Sequence, residues 1–368
     1  MRLLICAGGT GGGVYPALSV WQAIRDRLSD VLWVGGEGGM EAELVQREGI
    51  PFRAIPASAV HGVGLRTVIG LGNAARGYFA ARKIVNHFQP DAMVFTGGYV
   101  AVPVAFAGRH IPTLLYVPDI EPGWALKTLA RFADAIALIA DDSRAYFPTH
   151  PRLVTTGHPV RGGMAAWDRE TARQKFGFSA AYPTLLIFGG SRGARTINRA
   201  VLAVLPQLLS EMQVLHLSGT LDWEEVQAAQ ESLPADLASR YRAFPYLHDE
   251  MGAAYAVSDL VLSRAGASSV GEFPLFGLPA ILVPYPHAWR YQKVNADYLV
   301  RHGAAMMVPN EELLEKILPT VQGIMRDVPR REKMQSAMAA LATPNAAESI
   351  GNLLFELGTH RGEDVLHH

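Results

Sequence analysis

The sequence predicts an α/β protein built from two Rossmann-like domains, each on a parallel sheet. Two glycine-rich loops carry that prediction. Leu3-Leu4-Ile5-Cys6-Ala7 runs into Gly8-Gly9-Thr10-Gly11-Gly12-Gly13, and half a chain later Leu185-Leu186-Ile187-Phe188 runs into Gly189-Gly190-Ser191-Arg192-Gly193. A short continuous apolar run reads as a strand buried on both faces, and glycines directly after it let backbone N–H groups approach an anion at the next helix's N-terminus. Size is the third observation: 368 residues exceed what one hydrophobic core usually serves.

Between and beyond these loops, strand-like and helix-like segments alternate, as parallel sheets require. Val31-Leu32-Trp33-Val34 leads to Gly35-Gly36, Ala92-Met93-Val94-Phe95 to Gly97-Gly98, and Thr113-Leu114-Leu115-Tyr116-Val117 to Pro118-Asp119. Gly157-His158-Pro159-Val160-Arg161 then interrupts the alternation and is the expected interdomain hinge. The pattern resumes with Val214 to Leu217 before Ser218-Gly219, Leu260 to Leu262 before Ser263-Arg264-Ala265-Gly266, and Ala280 to Val283 before Pro284. Strand ends carrying glycine or carboxylate are where such sheets place ligands.

Composition narrows the function. Hydrophobic residues make up 49% and charged residues 18%, enough apolar material for two cores. A formal net charge of -1 argues against a general nucleic-acid binder, whose phosphate contacts need a basic excess. Cys6, the single cysteine, rules out an internal disulfide and a thiolate cluster, and its strand position makes it an expected inert core residue. No basic leader precedes an apolar segment, and no run of about 18 apolar residues occurs, so a soluble or peripheral protein is expected. Met325, Met334 and Met338 read as helical core packing. His-Glu-x-x-His, Gly-x-Ser-x-Gly and Cys-x-x-Cys are absent, and the first loop lacks both Gly-x-Gly-x-x-Gly spacing and an acidic residue closing the second strand, which argues against a dehydrogenase.

Several motifs in order along nearly the whole chain resemble those of the MurG family of N-acetylglucosaminyltransferases. They are Gly8-Gly9-Thr10-Gly11-Gly12, Gly97-Gly98-Tyr99, His158-Pro159-Val160-Arg161, Gly189 to Asn198, Ser263-Arg264-Ala265-Gly266-Ala267 with Glu272, and Pro284 to His287 with Gln292 and Asn295-Ala296. The resemblance implies the GT-B arrangement, two Rossmann-like domains facing a cleft, with the last helix crossing back to the N-terminal domain. Residues 1–158, with a C-terminal helix over 343–368, would form the acceptor and membrane-facing domain, and residues 159–342 the UDP-sugar domain. The implied reaction is inverting transfer of N-acetylglucosamine (GlcNAc) from UDP-GlcNAc to the 4-hydroxyl of a lipid-linked muramyl-pentapeptide diphosphate in peptidoglycan synthesis. The implied location is the cytoplasmic face of the cell membrane, as a peripheral protein in the company of cell-wall synthesis proteins.

Departure of UDP leaves a diphosphate with growing negative charge, to be met by helix N-termini, backbone amides and arginine when no metal serves. No Asp-x-Asp occurs in the chain, so a metal-free and cofactor-free mechanism is expected. The anion contacts expected are Ser191 with its neighbouring amides, Arg161, and the amides of Ala267 and Ser268 opening a helix over Ser269 to Phe276. The plainer readings are a surface charge for Arg161 and an N-cap for Ser191. By resemblance Glu272 holds the ribose, against the alternative of a solvated helix-face glutamate. Gln292 would bond GlcNAc hydroxyls and Asn295 support its loop, Leu247 and Met251 would lie beside the uracil, and Thr10, Gly11 and Gly12 complete the donor set. Tyr291 replaces a neighbouring family glutamine.

The departures from the family concentrate on the acceptor side, where the resemblance places Gly13, Tyr99 and Asp119. Gly13 stands where the family carries a histidine, and Tyr116-Val117-Pro118-Asp119 replaces a strand-end His-Glu-Gln-Asn. A positioned base, worth about 10²- to 10⁴-fold, must then come from elsewhere. Asp119 is the first candidate and Glu121 the second, with proton loss to water a third route. Asp119 has a rival reading as the N-cap of a helix beginning near Gly123-Trp124. The same departures keep open a changed acceptor, a UDP-GlcNAc 2-epimerase, and a silent UDP-GlcNAc-binding envelope protein.

Between Glu48 and Asp91 no acidic residue occurs, while Arg53, Arg66, Arg76, Arg82 and Lys83 are interleaved with Val60, Val63, Leu65, Val68, Ile69, Leu71, Tyr78 and Phe79. That composition suits an anionic bilayer surface, or else an ordinary domain face whose acids are distant. Gly62, Gly64, Gly70 and Gly72 suggest a flexible loop there.

Overall fold

In a computed structural model of the chain, which describes residues 1–8, 11–39, 41–57, 65–190, 193–286 and 289–364, the glycine-punctuated apolar runs form parallel strands. The first sheet contains β1 (Arg2–Cys6), β2 (Asp30–Gly36), β3 (Phe52–Ile55), β4 (Ala92–Phe95), β5 (Thr113–Val117), β6 (Ala135–Leu138) and β7 (Leu153–Thr155), in the order β3-β2-β1-β4-β5-β6-β7. The second contains β8 (Thr184–Phe188), β9 (Gln213–Leu217), β10 (Tyr241–Phe244), β11 (Leu260–Ser263), β12 (Ala280–Leu282) and β13 (Ala305–Met307), in the order β10-β9-β8-β11-β12-β13. Every pairing is parallel, so the expected α/β class with two Rossmann-like sheets is borne out. In both sheets the first strand in sequence lies centrally, flanked by its second and fourth, which puts a topological switch point at its C-terminal end.

The chain divides into one compact unit of Met1–Gly162 with Pro344–His368 and another of Gly163–Thr343. Both faces of the first sheet are covered: Leu4, Cys6, Met93 and Phe95 pack on one side, and Leu3, Ile5, Val94 and Leu114 on the other. The second face is closed by the helix Ala346–Asp364, through Ile350, Leu353, Leu354 and Leu357. This last helix returns to the first unit, as the resemblance implies. Gly351 lets it press on the helix Gly11–Ile24, since a Cβ there would lie 2.2 Å from Ile24 Cγ2. Arg27 fixes it from outside, donating to Asn352 Oδ1 at 2.9 Å and stacking 3.9 Å over the Phe355 ring. The methionines are core residues: Met325 and Met334 belong to the apolar cluster of the second unit and Met338 is fully buried.

Two expectations need correction. Gly70 and Gly72 lie within a long helix, Leu65–Phe88, and not in a loop, because the surrounding alanines and straight-chain residues outweigh two glycines. The helix expected over Ser269 to Phe276 begins two residues earlier, at Ala267, because Gly266 in extended conformation ends the strand connection there. Among the described residues no helix is long and apolar enough to cross a membrane.

Candidate functional site

The expected donor residues of the second unit follow the C-terminal ends of β8, β10, β11 and β12, whereas Gly11, Gly12 and Arg161 belong to the first unit. β8 runs into Gly190, at φ +93°, and Gly193, at φ +79°, both in the left-handed region that favours glycine. Gly193 also sits where a Cβ would be 2.1 Å from the Ser218 carbonyl at the end of β9, so the turn is possible only with glycine. Ser191 lies outside the described residues, as does Thr10. Behind this loop the helix Arg195–Ala203 carries Asn198, which is buried and donates to the Ser218 carbonyl at 2.8 Å and to Asp222 Oδ2 at 2.9 Å. Asp222 in turn accepts from Arg195 Nε at 2.7 Å. His216 Nε2 meets Asn198 Oδ1 at 3.0 Å and its Nδ1 meets the Tyr241 hydroxyl at 2.8 Å. Burial drives the His216 pKa down to about 3, so the ring is neutral, accepts the Tyr241 proton at Nδ1 and donates from Nε2.

From the adjacent strand, β11, the chain turns through Arg264-Ala265-Gly266 into the helix Ala267–Leu275. Its N-cap, Gly266, brings no capping side chain, so the amides of Ala267 and Ser268 open the helix toward the strand ends. One turn on, half-buried Glu272 accepts the Tyr255 hydroxyl at 2.6 Å through Oε2, which orients the carboxylate. Tyr255 belongs to the helix Met251–Val257, and its ring packs on Phe188, Phe273 and Phe276. Leu247 and Met251 are buried at the start of the same segment. Gln292, in the helix Trp289–Arg301, accepts the Tyr285 amide at Oε1 (2.8 Å), which turns its Nε2 donors outward from that bond. Asn295 is fully buried and donates to the Ala265 carbonyl at 3.2 Å, joining this helix to the β11 turn.

In the first unit the loops after β1 and β4 touch. Gly98, at φ +89°, approaches Gly8 so closely that a Cβ would be 2.8 Å from the Gly8 carbonyl, and Thr96 Oγ1 donates to the Gly13 carbonyl at 2.7 Å. Gly11, Gly12 and Gly13 form the first turn of the helix Gly11–Ile24, and Tyr99, 46% exposed, follows the second glycine pair. Arg161 lies beside the same helix, its guanidinium carbon 4.9 Å above the Tyr15 ring. Glu41 was not legible as a functional residue. It is buried against Gly8, Gly35 and Gly39, its Oε1 accepts the Gly36 amide at 2.9 Å, and its Oε2 has no hydrogen-bond partner among the described residues.

Asp119 and Glu121 follow β5 and differ in access. Asp119 is half-buried, whereas Glu121 is 4% exposed with Oε1 3.8 Å from Lys127 Nζ. The N-cap position that the rival reading gives Asp119 is held by Gly123, before the helix Trp124–Leu129. Tyr116, which replaces the family histidine, is fully buried and reaches His158 Nδ1 at 2.9 Å. Burial and then the charge of Asp119 hold the Tyr116 phenol well above its usual pKa, and burial lowers His158 to about 4. The Cys6 thiol is fully buried and likewise pushed up by burial.

Two parallel sheets, each with its first strand central between its second and fourth, define a doubly wound α/β protein of the Rossmann-like class. Residues 3–138 match the glycosyltransferase family 28 N-terminal domain and residues 184–350 its C-terminal domain. The chain belongs to glycosyltransferase family 28. It is 38% identical to a UDP-N-acetylglucosamine--N-acetylmuramyl-(pentapeptide) pyrophosphoryl-undecaprenol N-acetylglucosamine transferase of Roseiflexus sp. (strain RS-1), covering 98% of this chain and 96% of the relative. A transferase of the same name from Desulforudis audaxviator is 36% identical, covering 97% and 98%. The crystal structure of MurG from Acinetobacter baumannii superposes with a TM-score of 0.75 at 28% identity, covering 96% of this chain and 99% of that one. UDP-GlcNAc 2-epimerase from Neisseria meningitidis, solved with UDP-GlcNAc, reaches a TM-score of 0.68 over 97% and 100% at 14% identity, a likeness of fold alone. The resemblance to the MurG family is borne out.

Proposed function

We propose that this protein transfers GlcNAc from UDP-GlcNAc to the 4-hydroxyl of a lipid-linked N-acetylmuramyl-pentapeptide diphosphate, with inversion at the anomeric carbon. The observation that carries this reading is the match to family 28 in both halves of a chain whose relatives at 36–38% identity are named as transferases of that specificity. Identity to the epimerase structure is only 14%, which favours transfer over isomerisation.

In this reading the Ala267 and Ser268 amides, the second glycine loop with Ser191, and Arg161 take up the diphosphate charge as the sugar–phosphate bond breaks. Glu272, held by Tyr255, accepts from the ribose hydroxyls, and the uracil lies by Leu247 and Met251. Gln292 donates from Nε2 to sugar hydroxyl oxygens, since its Oε1 is engaged by Tyr285. By the resemblance Thr10, Gly11 and Gly12 are assigned to the donor, and Gly13 and Tyr99 to the acceptor. The acceptor O4 attacks C1, the C1–O bond to UDP breaks, and the hydroxyl proton passes to Asp119. Glu121 is the weaker candidate, being buried and paired with Lys127.

The membrane face falls on the helix Leu65–Phe88. Arg76, Phe79, Arg82 and Lys83 are exposed on it, Phe79 at 67%, and Phe79, Arg82, Lys83, Asn86 and His87 line one shallow depression. Val60 and Val63 lie outside the described residues, as do the side chains of Leu65, Arg66, Val68, Ile69 and Leu71. Cations beside an exposed aromatic suit an anionic leaflet, at the cytoplasmic face where the nucleotide sugar is made available.

The test is a mass-spectrometric product assay with UDP-GlcNAc, a short-chain muramyl-pentapeptide diphospholipid and EDTA. A disaccharide product is expected, and Asp119→Asn lowers kcat by about 10²- to 10⁴-fold with UDP affinity retained. Wild-type turnover in Asp119→Asn would remove the base assignment, and UDP-ManNAc formed without acceptor would replace transfer by epimerisation.

A further inference from the structure

Arg264 is 8% exposed and, among the described residues, has no carboxylate partner. Its Nη1 instead donates to Asn310 Oδ1 at 2.8 Å, to the Val283 carbonyl at 3.0 Å and, more weakly, to the Pro284 carbonyl at 3.4 Å. The guanidinium carbon lies 5.4 Å from the centre of the Tyr285 ring. Burying a cation among neutral acceptors is costly, and desolvation lowers its pKa to about 10. An apolar residue of similar volume would pack the same space without that cost, so the cation is to be explained by what it organises.

The backbone of the same residue is equally engaged. The Arg264 carbonyl accepts Ser263 Oγ at 2.9 Å and Ser269 Oγ at 3.1 Å, tying it to the strand and to the first turn of Ala267–Leu275. The carbonyls held by its side chain belong to Val283 and Pro284, the residues that lead out of β12. The next residue, Tyr285, donates its amide to Gln292 Oε1. Arg264 therefore links three strand ends, those of β11, β12 and β13, at one point, with the Gln292 carboxamide one hydrogen bond beyond.

We propose that Arg264 is a positioning residue for donor-sugar selection, clamping the β12 exit against the β11 turn and Asn310 so that Gln292 presents its amide at a fixed place. The inference rests on the reading of Gln292 as a sugar contact. It separates two tasks within the donor site: nucleotide binding by the Ala267–Leu275 helix, and sugar discrimination by a loop that the buried cation holds in register.

The experiment uses the full chain and two variants, Arg264→Lys and Asn310→Ala. The second alters the clamp from its far side and keeps the test open should the first fail to fold. Calorimetry gives the affinity for UDP, and turnover with the diphospholipid acceptor gives kcat/KM for UDP-GlcNAc and UDP-glucose. Both variants are expected to lose about tenfold in preference for UDP-GlcNAc over UDP-glucose with UDP affinity within about threefold of wild type, and Gln292→Ala added to either brings little further loss of preference. Unchanged preference in Asn310→Ala overturns the inference. So does a fall in UDP affinity with preference intact, which would make Arg264 a direct diphosphate contact. If the wild type binds neither UDP nor UDP-GlcNAc, the donor reading itself fails, an outcome distinct from both.

Discussion

Among the described residues each unit encloses a neutral histidine bonded to a tyrosine hydroxyl, His158 to Tyr116 and His216 to Tyr241, and this pairing sets a measurable acid sensitivity. In the folded protein their pKa values are about 4 and about 3, against about 6.5 in an unfolded chain. A depressed histidine pKa means that below pH 6.5 the unfolded chain binds protons that the folded one does not, so stability falls with falling pH until the folded values are reached. At pH 5 the unfolded chain is protonated at both sites and the folded protein at almost neither, which costs about 2 kcal/mol per histidine, about 4 kcal/mol in all. Urea unfolding at pH 7 and pH 5 reads the difference. Tyr116→Phe with His158→Leu, and Tyr241→Phe with His216→Leu, replace each polar pair by an apolar one and should each remove about half of the pH dependence. Equal stability at the two pH values, or histidine ring resonances that titrate near pH 6.5 in the folded protein, would refute the reasoning.

Asn198→Ala leaves the Ser218 carbonyl, the His216 ring N–H and one Asp222 oxygen without their partner, and is expected to cost about 3–5 kcal/mol, read as a fall in Tm of roughly 6–20 °C. Gly193→Ala combines a left-handed backbone with a Cβ 2.1 Å from the Ser218 carbonyl, so loss of more than about 2 kcal/mol and of UDP binding should appear in calorimetry. Gly13→Ala has the opposite sign, because its Cβ would meet Thr96 and Gly8 atoms at an ordinary 3.5–3.8 Å within a helix; a gain of about 0.5–1 kcal/mol is expected from thermal unfolding. Tyr255→Phe removes one bond that orients the Glu272 carboxylate and should raise KM for UDP-GlcNAc up to about tenfold with a smaller change in kcat.

The strands legible in the sequence were those that end in glycine, proline or a carboxylate. β4 and β5 coincide with their apolar runs, and β1, β2, β8, β9, β11 and β12 differ only at their ends. β3, β6, β7, β10 and β13 were missed for identifiable reasons. β7 and β13 are three residues long, Ala135-Ile136-Ala137-Leu138 carries helix-forming alanines, and Phe52 to Ile55 and Tyr241 to Phe244 each hold an arginine with no glycine after them. Motif order singled out Glu272, Gln292 and the Ala267 and Ser268 amides as expected donor contacts, but set the start of the helix those amides open two residues late. The partners that orient them were not legible, because Tyr255, Tyr285 and Asn310 approach only through tertiary packing. Tyr116 read as a mere departure from the family, and its bond to His158, 42 residues on, gives it a structural role the sequence did not display.

The return of Ala346–Asp364 to the first sheet fixes an order of assembly. Strands β1 to β7 leave the ribosome early with the helix Gly11–Ile24, which covers part of one sheet face through Val14, Leu18 and Trp21, yet the part beside β4 and β5 stays uncovered until Ala346–Asp364 supplies Ile350, Leu353, Leu354 and Leu357. The intervening unit, Gly163–Thr343, is contiguous and can close its own core first. The first-made half of the molecule is thus the last to be finished, and a nascent chain halted before Ala346 carries an apolar strip, beside β4, β5 and the helix Gly11–Ile24, that a chaperone or another stalled copy would meet.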